Sequence, residues 1–479
     1  MNILLKLDEA ALTIAPCPPE LQKLLEVKEK KMDGTRNILK LFNVISMMGD
    51  HPVVMTYQGF WKMIREECAA RGWTCVMEDY RKPFPAPRLD LTGGMRFSQA
   101  KLVREAVSSG MSGLIGAPTR YGKTFILMNM ARAFPSAAVV ITAPGKDLVR
   151  QLFSEAKTML APRTVRMMGG GKGSSTVATD DVMVCSMDSL HKIDKTNTDV
   201  LITDEPHAIA TDTRIPQFNS FTRARRYGLG ATLKGRFDNR DKYIEGLIGP
   251  VLSQVTYKEA VVEGAICPIE VVMIRVGFDP WYCSYLPQAL KRVYHRNQKI
   301  ASLTKMLCDN LIPETWQTML FIKNEEHAEF MSHALSGCRW PVAMAKLLTT
   351  KARNTLTDEV KSGVHNRVIC SDIYVQGMTF SDVRCLINLS GGGPYTSTIQ
   401  KPGRLAEIRP EIGKIHGLLV DFMPYPTRWP SSKEMPEQTW RAMTANAESR
   451  LQAYEDIGYG IHMVENPGQL KAVMQSLTQ

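Results

Sequence analysis

The chain has 479 residues, of which 44% are hydrophobic, and a formal net charge of +11. This length and composition predict about three domains with ample core. The chain starts with apolar residues, but Lys6, Asp8 and Glu9 interrupt them before a signal-peptide core forms. No apolar run approaches membrane-spanning length. The ten cysteines form no C-x-x-C pair. We therefore expect a soluble protein of a reducing cytoplasm, with no membrane partner and neither a zinc site nor a disulfide framework.

The first 90 residues are nearly neutral by count and are predicted to form a small α+β domain. The stretch from Gly59 to Ala70 has the pattern of an amphipathic helix, and a short strand follows it. The basic run "KEKK" further upstream is explained by a solvated helix face.

The run "APTRYGKT" lies between a strand-like stretch, "SGLIG", and a helix-forming one, "KTFILMNMARAF". In that setting Gly122 lets the backbone approach a phosphate closely, and the helix N-terminus adds positive charge. Lys123 would reach the β- and γ-phosphates, and Thr124 would ligate Mg²⁺. Because Ala117 replaces the usual glycine, a simple strand-to-helix turn remains an alternative. The predicted ATP-binding residues of this run are Ala117, Pro118, Thr119, Arg120, Tyr121, Gly122, Lys123 and Thr124.

Most of the excess positive charge lies beside this run. Residues 101–175 hold eleven Lys or Arg and three acids. A solvated basic face explains this surplus, and so does a surface that follows the phosphate backbone of a nucleic acid.

Short apolar, β-branched runs alternate with helical or loop segments through the rest of the chain, which predicts parallel sheets. Residues 137–144, 181–186, 199–205 and 225–232 are strands of a first lobe, at 91–258. A connector near "GPVLSQVTYKEAVVEGAICP" leads to a second lobe, at 259–435. Residues 436–479 are predicted to be a helical C-terminal tail. The strand candidates of the second lobe are "IEVVMIRV", "QTMLFIK", "PVAMA", "NRVICS", "VRCLINL" and "KIHGLLVDF".

The stretch "VLITDEPH" ends a strand in two acids. Asp204 is placed to hold Mg²⁺, and Glu205 to orient or deprotonate the water that attacks the γ-phosphate. Either acid alone could instead cap the following helix. Their position roughly 80 residues beyond a Lys-Thr phosphate loop favours the catalytic interpretation. His207 completes the D-E-x-H pattern.

With these residues the chain resembles the superfamily 2 helicases of the DExH type, whose motifs recur in order over residues 93–425. The resemblance implies two tandem RecA-like parallel-sheet lobes, preceded by the small α+β N-terminal domain. It also implies that Gln99, in "RFSQ", contacts adenine. The other matching segments are "APTRYGKT", "ITAPGKDLVRQ", "DEPH", "GLGATLKGR", "CSDIYVQGMTF" and "QKPGRLAEIR".

The later motifs carry further expected contacts to ATP. Gly377 is predicted to turn backbone N–H groups toward the nucleotide, although an ordinary glycine turn fits as well. Arg404 is expected to act as an arginine finger on the γ-phosphate, with Gln400 near it. The family's second arginine is missing, because Glu407 occupies its place, and Arg409 either replaces it or is an exposed helix arginine.

A further expected contact belongs to the strand end at Ala231 and Thr232. A hydroxyl there could hydrogen-bond His207 and sense the state of the nucleotide. A simple strand end is the alternative.

Two segments of the first lobe are candidates for nucleic-acid contact. Pro144, Gly145 and Lys146 directly follow a strand, where N–H groups and an ammonium can meet phosphates. Gly169, Gly170, Gly171 and Lys172 permit close approach to a strand, although a mobile loop is as good an explanation.

The N-terminal segment resembles the small N-terminal domain of phage UvsW-type helicases through "MDGTR" and "GFWKMIREECAARGWTCVMED". That resemblance implies DNA binding by residues 1–90 and an ATP-dependent DNA helicase or translocase that remodels branched DNA. Expected partners are single-stranded and branched DNA and recombination or replication proteins, in the host cytoplasm if a phage encodes the chain. An RNA helicase, the motor subunit of a restriction system and a nucleotide-dependent DNA-binding switch remain alternatives.

Overall fold

The computed structural model describes residues 1–30, 36–90, 94–168, 177, 181–233, 238–335, 340–344, 348–371, 380, 382–391 and 401–478. The chain divides into two compact units, Met1–Thr256 and Tyr257–Gln479. The first unit holds the N-terminal domain together with the first α/β lobe, and the second unit holds the second lobe.

The elements of the N-terminal domain are β1 (Asn2–Leu7), β2 (Leu12–Ala15), α1 (Pro19–Leu24), β3 (Glu26–Lys30), β4 (Arg36–Lys40), β5 (Phe42–Met48), β6 (His51–Thr56), α2 (Trp61–Ala70) and β7 (Thr74–Asp79). A mixed sheet has the strand order β5-β6-β2-β1-β7, and β3 pairs with β4 in a separate hairpin. Ile3, Leu5 and Leu7 alternate toward the core, as the two-residue period of a strand requires. Helix α2 turns Ile64 and Cys68 to the same core, which confirms the predicted α+β domain.

The N-terminal domain is fastened to the first lobe by a buried side chain. Arg226, which is 2% exposed, donates Nη2 to Gln58 Oε1 at 2.7 Å, and its backbone N–H donates to Ser112 Oγ at 3.0 Å. Gln58 in turn donates its amide to Asp8 O at 2.5 Å. Burial lowers the pKa of Arg226 to about 10. A guanidinium with so little solvent depends on these protein partners, so the two parts pack as one body.

The elements of the first lobe are α3 (Gln99–Ser108), β8 (Gly113–Gly116), α4 (Lys123–Arg132), β9 (Val139–Ala143), α5 (Lys146–Met159), β10 (Val165–Met168), β11 (Val182–Ser186), β12 (Val200–Asp204), α6 (Arg214–Asn219), β13 (Arg225–Gly230), α7 (Asp241–Ile248) and β14 (Val251–Gln254). The strands pair in parallel in the order β10-β11-β9-β12-β13-β8-β14. All of β9 and β12 is buried, because helices cover both faces of a parallel sheet.

The elements of the second lobe are α8 (Tyr257–Val262), β15 (Ile269–Phe278), α9 (Leu286–Leu290), α10 (Gln298–Met306), β16 (Gln317–Ile322), α11 (Glu325–Ala334), β17 (Val342–Ala343), α12 (Thr350–Lys361), β18 (Arg367–Ser371), β19 (Val383–Asn388), β20 (Gly417–Pro426), α13 (Glu437–Ile457), β21 (Gly460–Val464) and α14 (Pro467–Thr478). They form a second parallel sheet in the order β17-β18-β16-β19-β20-β15-β21. The prediction of two tandem RecA-like lobes with a small N-terminal α+β domain is confirmed.

The structure differs from the sequence prediction at two strands. The stretch treated as a connector contains β14, which pairs with β8 at the edge of the first sheet. The predicted helical tail, 436–479, contains β21, which pairs with β15 from Glu270↔Gly460 to Ile274↔Val464. Both strands are short edge strands, and their apolar residues are too few to produce a clear two-residue period.

A buried ion pair ties α13 to the second sheet. Arg450 and Asp421 are 1% and 0% exposed, and Arg450 Nε lies 2.8 Å from Asp421 Oδ2. Tyr454 donates its hydroxyl to the same oxygen at 2.8 Å, and Arg450 Nη2 also donates to Phe422 O at 2.8 Å. Helix α13 therefore belongs to the core of the second lobe.

Candidate functional site

Three predicted motif segments lie at the carboxyl edge of the first sheet, where parallel α/β sheets bind their ligands. The phosphate loop follows β8, Pro144 follows β9, and β12 ends at Asp204. In the sheet, β13 lies between β8 and β12, so a single strand separates the phosphate loop from the acids. The structure thus brings the two halves of the predicted ATP site together within the first unit.

The phosphate loop turns into α4 at Gly122, the N-cap residue, whose φ is +86°. Gln99 is buried behind this turn and donates Nε2 to Tyr121 O at 2.8 Å. Its Oε1 accepts from Arg96 N at 3.0 Å, and Ser98 N donates to the Tyr121 hydroxyl at 3.0 Å. The left-handed φ favours glycine, and a Cβ at Gly122 would lie 2.6 Å from Gln99 Nε2, so a larger residue would also displace this glutamine.

Gln99 therefore has partners in the protein for both of its polar side-chain atoms. These bonds hold the shape of the phosphate loop, a role that the sequence does not reveal because one acceptor is a backbone carbonyl and leaves no side-chain signature. The contact of Gln99 with adenine remains a prediction.

The other residues of the phosphate loop lie between β8 and the first turn of α4. Ala117 N donates to Gly230 O at 3.1 Å, which joins the start of the loop to β13. Lys123 and Thr124 are the first two residues of α4. The three residues between these points, Pro118, Thr119 and Arg120, are partly exposed.

Lys123 and the acidic motif meet directly. Lys123 Nζ lies 4.0 Å from Glu205 Oε1, and His207 Nδ1 lies 3.3 Å from Glu205 Oε2. Glu205 is 24% exposed, so its carboxylate lies between an ammonium and an imidazole and remains accessible to solvent. This arrangement suits a carboxylate that accepts a proton from a bound water.

Asp204 is in a different environment from its neighbour. It is 7% exposed, and burial, followed by the charge of Glu205, raises its pKa to about 7, while Lys123 opposes the shift. Among the described residues, no hydrogen-bond partner reaches its buried Oδ1. A buried carboxylate oxygen without a partner fits a ligand of Mg²⁺, since the cation would supply the charge that the site lacks.

The backbone of Glu205 is in the left-handed region, with φ of +53° and ψ of 63°. Its N–H donates to Leu229 O at 2.9 Å, which holds it there. Such a conformation costs a residue with a side chain about 1–3 kcal/mol and is concentrated at functional sites.

The expected bond from Thr232 to His207 is not formed. Within the described ranges, Thr232 Oγ1 is buried without a hydrogen-bond partner. His207 instead approaches Glu205, which is two residues away and turned toward it by the left-handed backbone.

The first predicted nucleic-acid segment is at the surface of the same sheet edge. Gly145 has φ of +82° and is the N-cap of α5, and a Cβ there would meet nothing within 4 Å. Pro144 is half-buried and Lys146 is exposed. The segment thus offers open backbone and an ammonium to a phosphate, whereas Gly169, Gly170, Gly171 and Lys172 lie outside the described residues.

In the second unit, Arg404 closes a 3-10 turn, Pro402–Arg404, and is half-buried. Arg409 Nη1 lies 2.8 Å from Asp382 Oδ1, and the arginine also pairs with Glu411. Acids of its own lobe therefore hold Arg409, which weakens its candidacy as a replacement finger. Gly377 and Gln400 lie outside the described residues.

Residues 94–235 match the family described as "Type III restriction enzyme, res subunit", a superfamily 2 helicase domain. Among curated proteins, no sequence matches the chain significantly. In the described ranges, none of the helices combines the length and apolar composition that crossing a bilayer requires.

Solved structures share the fold. The ATP-dependent Type ISP restriction-modification enzyme LlaBIII bound to DNA aligns with a TM-score of 0.55 and 14% identity over 87% of this chain and 36% of that one. S. cerevisiae Dbp5 bound to RNA and ADP BeF3 aligns with a TM-score of 0.51 and 12% identity over 86% and 96%. UvsW of bacteriophage T4 is also similar, with a TM-score of 0.40 and 14% identity over 97% and 99%. The match over residues 94–235 confirms the resemblance of this part of the chain to superfamily 2 helicases, and the solved structures support the two-lobe fold.

Proposed function

We propose that this chain, whose residues 94–235 match a superfamily 2 helicase domain, is an ATP-dependent DNA helicase or translocase that remodels branched DNA. The observation that carries the proposal is the 4.0 Å approach of Lys123 to Glu205, beside the buried Asp204 oxygen that has no hydrogen-bond partner among the described residues. A phosphate-binding ammonium, a solvent-accessible base and a metal-type carboxylate are the groups that in-line displacement at a γ-phosphate needs.

Each residue of this group has a distinct task in ATP turnover. Lys123 binds the β- and γ-phosphates, and N–H groups at the start of α4 complete the phosphate cradle. Thr124 and Asp204 would hold Mg²⁺, which when bound neutralises charge on the phosphate oxygens. Glu205 orients the attacking water and accepts its proton, and His207 fixes the Glu205 carboxylate through the 3.3 Å contact.

Arg404 is proposed to neutralise the charge that develops on the γ-phosphate. Support for this role comes from the match of "QKPGRLAEIR" to the helicase pattern and from the ion pairs that already occupy Arg409. Arg404 is thus the single proposed finger.

The nucleic acid is proposed to contact Pro144, Gly145 and Lys146 through its phosphates, supported by the exposure of Gly145 and Lys146 at the start of α5. An RNA helicase is the second candidate, because a structural neighbour with the same two-lobe fold is bound to RNA. Phosphate contacts of this kind do not distinguish DNA from RNA.

The test is to measure ATP hydrolysis with single-stranded DNA, duplex DNA, a four-way junction and RNA at one salt concentration. We expect stimulation by DNA, strongest with the junction, and no turnover in Lys123→Ala under any condition. Stimulation by RNA alone would establish the RNA helicase instead. If no nucleic acid changes the rate, the proposed motor function is wrong.

A further inference from the structure

Helix α7 begins at an ion pair that joins three parts of the first unit. Arg240, just before the helix, donates Nε to Glu29 Oε1 at 2.6 Å, and its Nη1 lies 2.8 Å from Asp212 Oδ1. Glu29 belongs to β3 of the N-terminal hairpin, and Asp212 follows the turn after the catalytic acids. The side chains of Arg240 and Glu29 are 15% and 9% exposed, whereas that of Asp212 is 86% exposed.

Two neighbours of Arg240 strengthen the same junction. Asn239 donates its side-chain amide to Lys28 O at 2.9 Å, and Lys242 Nζ donates to Glu26 O at 3.0 Å. Three residues of β3, Glu26, Lys28 and Glu29, therefore have bonds to residues at the start of α7 through side chain or backbone. The hairpin cannot shift along its length without breaking them.

The middle of α7 is in close contact with the N-terminal domain as well. A Cβ at Gly59 would lie 1.8 Å from Glu245 O, and a Cβ at Gly246 would lie 2.8 Å from Phe60 Cζ. Phe60 is fully buried at this contact. Such close backbone approach leaves no room for sliding, so α7 moves together with the N-terminal domain.

The other side of α7 packs on the turn that follows Glu205. Ile244, Leu247 and Ile248 of α7 share one buried cluster with Ile209 and Ala210. The turn Pro206–Ile209 carries His207, and its first residue directly follows the catalytic base. One helix thus contacts both the N-terminal domain and the segment that positions Glu205 and His207.

We propose that α7 couples the N-terminal domain to the ATP site, with Arg240 as the positioning residue that transmits nucleic-acid contact into faster ATP turnover. The exposed hairpin residues Lys28, Arg36 and Lys40 give the N-terminal domain a basic surface for phosphates. Nucleic acid that binds the hairpin displaces Glu29, and the ion pair with Arg240 passes this displacement to α7. Helix α7 then shifts the turn that holds His207. This inference rests on the proposed function and assigns it a regulatory connection.

The experiment measures ATP hydrolysis by Arg240→Gln and Glu29→Gln in the full chain, with and without saturating four-way junction. Because neither residue belongs to the ATP site, the rate without DNA stays within about twofold of the original, and so does KM for ATP. The DNA-stimulated kcat falls about tenfold. The double variant Glu29→Arg with Arg240→Glu reverses the ion pair and restores part of the stimulation, which a loss of packing would not allow.

The matched control is Arg223→Gln. Arg223 also pairs with an almost buried acid, since its Nη2 lies 2.9 Å from Asp199 Oδ1, but neither residue of this pair belongs to α7 or to the N-terminal domain. We expect this variant to keep full stimulation. If Arg240→Gln fails to fold, Asp212→Asn decides, because its exposed side chain can be changed without unfolding and its loss lowers stimulation about threefold.

The possible outcomes separate the two proposals. An original chain that no nucleic acid stimulates overturns the proposed function. A stimulated original chain with an equally stimulated Arg240→Gln, or with Asp212→Asn unchanged, overturns only the coupling role. A proportional fall of the basal and stimulated rates in Arg240→Gln also overturns it, since Arg240 would then support the fold and not the coupling.

Discussion

Gln99 donates its side-chain amide to the backbone carbonyl of Tyr121 at 2.8 Å, so a residue of α3 fixes the turn on which α4 and the phosphate loop depend. Without this bond the loop has additional conformations to lose when ATP binds.

We therefore expect Gln99→Ala to raise KM for ATP about fivefold to tenfold, with kcat changed less than twofold. Steady-state kinetics with saturating DNA measures both constants. Gln151→Ala, on the exposed face of α5, is the control and leaves both unchanged. A fall in kcat with an unchanged KM would show that Gln99 acts on chemistry and not on the loop.

Glu205→Gln keeps the shape of the side chain and removes the base. We expect ATP to bind with nearly unchanged affinity, while hydrolysis slows about 100-fold or more, in line with the contribution of general bases. Single-turnover hydrolysis together with nucleotide binding separates the two steps. Normal hydrolysis by this variant would require another group to activate the water.

A histidine pair in the second lobe makes that lobe sensitive to acid. Burial lowers the pKa of His327 to about 3, and the ring of His295 stacks on it with centroids 4.7 Å apart. The unfolded chain takes up a proton at His327 near pH 6.5, whereas the folded chain keeps the ring neutral. The stability that the neutral ring provides is complete above about pH 6.5 and is lost as the pH falls from there toward 3.

Hydrogen exchange of β16 amides between pH 7.5 and 5 tests this, after correction for the intrinsic pH dependence of exchange. We expect the free energy of opening to decrease below pH 6.5 by up to about 1.4 kcal/mol per pH unit for one histidine. In His327→Gln this slope should be smaller, and in His333→Gln, where the side chain is exposed, it should stay the same. An identical slope in all three proteins would contradict the assignment to His327.

Helix α13 provides the fourth prediction. Arg450→Met leaves Asp421 buried without its cation, so we expect a loss of about 3–5 kcal/mol in the stability of the second lobe. Arg441→Met is the control on the same helix, because its ion pair with Glu437 is exposed and contributes less than about 1 kcal/mol. Denaturant unfolding followed by tryptophan fluorescence compares the variants. Equal losses would mean that the buried pair is no more important than a surface one.

The parts of the chain that were predictable are those with a local pattern. The strand β12 and the acids after it are adjacent in sequence, so periodicity and motif spacing were sufficient. Arg240 and Glu29 lie 211 residues apart, and nothing local marks either of them as a partner of the other. The same holds for Arg450 and Asp421, whose pairing depends on how α13 packs, and for β21, whose partner strand is far away in the chain.

The bond between Arg226 and Gln58 has a consequence for proteolysis. The stretch between β7 and α3 includes exposed residues such as Lys82, Pro83 and Asp90, so a protease would cut there first. After the cut, the buried guanidinium and its amide partner would still be joined, together with the packing around Phe60. The two fragments should therefore elute together from a sizing column and separate only in denaturant, as a nicked protein and not as two released domains.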